Sequence, residues 1–252
     1  MTAQVPGLRR RIEIATRAAP GGAGEARAVV EDDYHHFRVV VRHDGKAVTD
    51  ASAESPRFPY VTCPLAGGRL QALVGMALSP ASGEVHRFTD AAQQCTHMLD
   101  LAGLAVGSAA RGVTRRRYEA QVPDDRDGRT HAQLFRDEEQ VLAWDVQGDT
   151  IQGPDPLFAN LGIHHGFARF VQERLDPEEA EAALILRRCV AITGGRGQDL
   201  DARRFARPKL RCFTQQPDQA ISALRVRKST RDFTYRAHEL CQDDQSWLAF
   251  AE

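Results

Sequence analysis

No apolar run in this 252-residue chain approaches about 18 residues, so no segment is expected to cross a membrane as a helix. The first stretch, MTAQVPGLRRRIEIATR, has basic residues but no apolar centre, which excludes a secretory signal of the usual kind. Charge of one sign is missing too. Lys and Arg total 33, Asp and Glu 34, and the formal net charge is -1. Nucleic acid is therefore not expected as a main partner, because it usually requires a basic surface. Cysteine is scarce, at five, and odd in number. That excludes the disulfide framework of a small secreted protein and points to a reducing cytoplasm. There is no internal repeat and no low-complexity tract.

What is present is a globular composition, with 42% apolar and 27% charged residues. The length allows one large domain or two small ones. Residues 1–28 end in the run AAPGGAGEARA and are expected to be a flexible segment, or a loop behind a short first strand. Two extended runs then flank Asp44-Gly45, a pair suited to a tight hairpin turn. Phe37, Val39 and Val41 share one face of the first run, with Asp33 and His35 on that face if the strand begins early enough. From Cys63, Leu65, Leu70, Leu73 and Val74 are spaced as in a helix, with Pro64 at its first position. A second helix is expected from Gln94, capped by Thr96 and ended near Gly112. The second half reads as strands in RRRYEAQVP, THAQLFRD and QVLAWDVQGDTIQG, then a helix over 176–192. Asp176 caps that helix, Pro177 opens it, and Glu179 completes a capping box. The expected class is α+β, with a metal-binding unit at 29–112 and a strand-plus-helix region at 113–252 completing a substrate pocket.

The residues that carry chemistry follow from this layout. Cys63 precedes a proline at a helix start, where unpaired N–H groups favour a thiolate. Cys95 and His97 are two apart, and converge if Cys95 is still in the loop while His97 begins the first turn. Asp33 and His35 offer a third arm. Cys, His and carboxylate together suit zinc or iron. His164 and His165 stand in an irregular connection, where an imidazole that titrates near neutrality suits acid–base work. ITGGRGQ follows a helix and lacks the Lys-Ser/Thr of a phosphate loop, so it reads as a helix-ending loop. Cys189 reads as core filler, and Cys212 and Cys241 have no ligand-spaced neighbours. No GxSxG elbow or HExxH helix occurs.

The order of Asp33 before a hairpin, Cys63 opening PLAGGRLQALVGMALS and Cys95 opening the next helix resembles the NifU/IscU-type iron–sulfur scaffold domain over residues 30–110. That resemblance implies a small antiparallel sheet with two packed helices. The chain departs from it at Glu31 and Gln94, where the scaffold has a ligand cysteine and a histidine. Two thiols are too few for an all-cysteine cluster. The segments FPYVTC (58–63) and CTHM (95–98) also resemble the FPxxC and CTHL-like segments of a bacterial family of unknown function, a likeness expected to cover most of the chain.

Two functions are expected from this. The first is a metal-dependent lyase or hydrolase with one zinc or iron ion per chain. Cys63, Cys95, His97 and Asp33 would be ligands, and His164, His165 and His35 catalytic groups. Its substrate would be a small organic molecule, aromatic if Phe135, Trp144, Phe158 and Phe167 line the pocket. The second is an iron–sulfur or sulfur carrier, with a purely structural metal as a third option. Homo-oligomerisation stays open.

Overall fold

The computed structural model describes residues 5–19 and 21–251. One antiparallel sheet of eight strands runs through it, in the order β4-β3-β2-β1-β5-β6-β7-β8. The strands are β1 (Gly7–Ala18), β2 (Gly24–Asp32), β3 (His36–His43), β4 (Val48–Arg57), β5 (Arg115–Pro123), β6 (Arg129–Arg136), β7 (Glu139–Gln147) and β8 (Thr150–Pro154). The helices are α1 (Val85–Phe88), α2 (Thr96–Arg111), α3 (Phe167–Arg174), α4 (Pro177–Thr193), α5 (Pro217–Ala220) and α6 (Gln245–Leu248). The class is α+β, as expected.

The stretch expected to be flexible contains the central strand instead. β1 pairs with β2 on one side and β5 on the other, and so joins the two halves of the chain in one sheet. Its period of two is real but masked. Leu8, Ile12 and Ile14 enter the main core, while Ala15 faces the C-terminal segment. Both faces are covered, and Arg9-Arg10-Arg11 breaks the apolar alternation that would have marked the strand.

The hairpin turn is where the sequence puts it. Gly45 has φ 92°, and Asp44 Oδ1 accepts from the backbone N–H of Lys46 and Ala47 at 2.8 Å each. Phe37, Val39 and Val41 face the core together. The segment after Cys63 is a 3-10 helix, Cys63–Leu73, not an α-helix. Gly67 lies against β4 so closely that a Cβ there would stand 2.4 Å from the Ala53 carbonyl oxygen. α2 begins at Thr96, the residue expected to cap it, so the N-cap is Cys95, one residue earlier, and Gly112 ends the helix at φ 69°. α4 has the full capping box, with Asp176 accepting from Glu179 N and Glu179 accepting from Asp176 N.

α2 covers β1, β2 and β3, and α4 covers β5, β6 and β7, on the same face of the sheet. The opposite face carries the C-terminal segment, where Leu248 and Cys241 pack on Ala15 and Val29. Arg17 and Arg27 lay their guanidiniums over the Phe250 ring at 4.5 Å. Trp144, Phe158 and Phe167 pack on one another inside the core, with centroids 5.2 to 6.4 Å apart. All three are buried, so they fill the core and do not line a substrate pocket.

Candidate active-site cleft

Helical spacing builds the site between α2 and α4. On α2, His97, Asp100, Leu101 and Leu104 follow i, i+3, i+4, i+7 and share a face. On α4, Glu181, Leu184, Ile185 and Arg188 repeat that spacing. The two stripes, with Arg10, Ile12 and Val30 from the sheet, enclose a cavity of about 40 Å³, room for a water or two. An outer cleft of about 540 Å³ opens over it and shares His86, Asp100 and Arg188 with it. Arg187, Arg211, His164 and His165 stand at its walls.

A buried polar chain runs under the cavity. Arg10 and Asp32 are direct cross-strand partners in β1 and β2. Arg10 donates from Nε (2.8 Å) and Nη2 (2.5 Å) to Asp32 Oδ2. Asp32 Oδ1 accepts from the backbone N–H of Tyr34 (2.7 Å) and His35 (2.8 Å), and lies 3.2 Å from His35 Nδ1. Burial alone would raise the Asp32 carboxyl. Arg10 and His35 overcome that and hold it well below the usual range.

His35 stacks on His97, with ring centroids 4.0 Å apart. Burial lowers both imidazoles, and for His97 the nearby His35, Arg10 and Arg188 lower it further. His97 is therefore neutral at physiological pH, and its buried Nε2 has no hydrogen-bond partner among the described residues. Beside it, His86 Nε2 lies 2.9 Å from Asp100 Oδ1, and Arg188 Nε donates to Asp100 Oδ2 at 2.8 Å. Burial raises the Asp100 carboxyl, but Arg188 and His86 outweigh this and hold it below its ordinary range.

The four expected metal ligands do not meet. Asp33 sits in the turn after β2, where it is paired with Arg196 and accepts from Phe233 N at 3.1 Å. Arg196 comes from the loop that ends α4, in the stretch read as TGGRGQ. Burial raises the Asp33 carboxyl to about 6 against the pull of Arg196. His97 turns to His35 and the cavity, while Cys63 accepts from Thr214 Oγ1 at 3.5 Å. Burial pushes the Cys63 thiol up to about 11 and raises Cys95 and Cys212 as well, so desolvation overrides the helix-start effect expected to favour a thiolate. Among the described residues, no three His, Cys, Asp or Glu side chains form a group able to hold a metal ion.

The expected catalytic histidines divide as well. His164 and His165 do reach the outer cleft, with His164 Nε2 3.1 Å from Asp149. His35 is one layer beneath the cavity, behind His97. The sequence reading missed His86, Asp100, Arg187 and Arg188. His97 and Asp100 at i, i+3 on one predicted helix were the available signal. Nothing local marked His86 or the arginines of α4.

Among the described residues, no helix is long and apolar enough to cross a membrane. No curated protein matches the chain. Residues 12–111, from the central strand to the end of α2, match a family described as a protein of unknown function (DUF2889), a match that lends nothing to the iron–sulfur scaffold resemblance and stops short of α4 and its arginines.

Proposed function

We propose that the chain is an acid–base enzyme of the lyase or hydrolase type, acting on a small organic molecule in the cleft between α2 and α4. The observation that carries this is the unpartnered, buried Nε2 of a neutral His97 lining a cavity next to the Arg188–Asp100–His86 chain. A neutral imidazole with a free ring nitrogen accepts a hydrogen bond from a substrate O–H or N–H and takes that proton only transiently, because burial and the nearby cations disfavour its charged form. Asp100 Oδ1, 2.9 Å from His86 Nε2, fixes the orientation of that ring at the cavity wall, so His86 is the second imidazole placed for a proton transfer there. Asp32 fixes the His35 ring, against which His97 packs. The aliphatic lining of Ile12, Val30, Leu101, Leu104, Leu184 and Ile185 suits a small aliphatic group better than an aromatic one.

The test is a panel of short-chain esters and β-substituted acids assayed with the purified chain. Turnover should fall by about 100-fold or more in His97→Gln and Asp100→Asn, with thermal unfolding still cooperative. Turnover that survives both changes would sink the reading.

A second reading keeps one zinc or iron ion at the thiols. It is favoured by the segment after Cys212, which brings a third cysteine toward the other two. Phe213 N donates to Gln94 O at 2.9 Å, and Thr214 reaches Cys63. The three thiols are protonated as they stand, so an ion would have to displace their protons and draw them together. Elemental analysis and an absorption spectrum of protein purified without air decide this. A chain free of metal under those conditions removes it.

A further inference from the structure

The outer cleft collects positive charge that the protein does not neutralise. Arg187 and Arg188 are consecutive on α4, and Arg211 comes from the irregular stretch before Phe213. Arg188 is paired with Asp100, Arg87 with Glu84 at 2.9 Å, and His164 with Asp149. Among the described residues, Arg187 has no carboxylate partner, and its guanidinium lies 5.9 Å from the centroid of the Phe167 ring. It donates only to carbonyl oxygens, at 2.5 Å to Ile163 and 3.4 Å to His164. Arg211, exposed at the same mouth, has neither an ion pair nor a hydrogen bond among the described residues. The guanidinium of Arg187 is pushed down by burial and then by Arg188 and Arg211, against the single opposing pull of Asp100. A half-buried cation beside two others is costly unless something negative joins it.

We infer that Arg187 and Arg211 form the anchor for an anionic oxygen group of the ligand, a carboxylate or a phosphate, at the mouth of the cleft. The inference rests on the reading of this cleft as the substrate site. A planar guanidinium offers paired donors that match either group. The anion would sit between Arg187 and Arg211, and the uncharged remainder would reach inward toward His86, Asp100 and His97. Short aliphatic acids or alkyl phosphates are then the ligand class, with the charged end outermost.

The experiment uses the full chain and three probes of matched length: butyrate, monobutyl phosphate and butanol. Binding is followed by calorimetry and by the imidazole resonances of His86 and His97. One of the two anions should bind about tenfold tighter than butanol and shift those resonances, and its affinity should fall with added salt. Which anion wins identifies the source of the charge. Arg211→Gln, an exposed position, should lower that affinity about fivefold or more, whereas Arg126→Gln, exposed on the β5–β6 turn, should leave it unchanged. Butanol binding as well as the anions, with the resonances shifting, overturns the anion anchor and leaves the cleft standing. Anion binding that ignores Arg211→Gln overturns the anchor too. No shift with any probe overturns the anchor and the cleft reading together.

Discussion

Acidification should destabilise this protein through His97, and the size follows from its burial. The imidazole is held well below its ordinary value of 6.5, first by desolvation and then by His35, Arg10 and Arg188. A base with a depressed folded value costs nothing above pH 6.5, where it is neutral in both states. Its stabilisation is lost as pH falls below 6.5, because the unfolded chain takes up a proton that the fold refuses. At about 1.4 kcal/mol per pH unit, this amounts to about 2 kcal/mol by pH 5. Asp33 acts in the opposite direction. Its carboxyl is raised to about 6, so the folded state gains a proton there first and is stabilised as pH falls through that value. Urea unfolding of the wild type and of His97→Leu at pH 7.5, 6.5, 5.8 and 5 separates the two, since Asp33 is common to both. The wild type should lose about 2 kcal/mol more than the variant between pH 7.5 and pH 5. Parallel curves over that range would refute the burial argument for His97.

Asp32→Asn strands the buried Arg10 guanidinium and should cost about 3–5 kcal/mol by urea unfolding, while Arg10→Met with Asp32→Leu should cost clearly less. Asp176→Ala removes one half of the α4 capping box and should cost about 1 kcal/mol by the same assay. Gly103→Ala places a Cβ 2.2 Å from the Ser82 carbonyl oxygen. It should push the 82–84 turn off α2, lower the melting temperature by several degrees and shift the His86 resonances, because that turn leads directly into α1. A variant with the wild-type melting temperature and unmoved His86 resonances would show that the close approach is not structurally important.

Elements held by local chemistry were legible in the sequence. The Asp44-Gly45 turn, the strands β5 to β7 and the capped α4 each depend on neighbouring residues, and each stands where those neighbours place it. β1 was not legible. Its alternation is broken by Arg9-Arg10-Arg11, and Arg10 faces the helices only because Asp32 lies directly opposite in β2. Register between strands is not written in either strand alone. The helix after Cys63 tightened to 3-10 geometry where Gly67 meets β4, another contact invisible from within the segment.

For the site, the sequence by itself determined which residues share a face of each helix, because 3.6 residues per turn dictates that His97 and Asp100 go together, as do Glu181 and Arg188. It also determined that Cys95 sits at the start of α2 and His97 just inside it. Only the tertiary structure decided that these two side chains part company, His97 to the cavity and Cys95 to the neighbourhood of Cys63 and Cys212. It also set Arg196 against Asp33 and brought α4 across the sheet to α2. The physical reason is that helical periodicity is local, whereas desolvation and ion pairing depend on which surfaces are brought together. Burial by distant elements kept the thiols protonated, and two arginines of a helix about 90 residues further on, Arg187 and Arg188, completed the cleft around His97.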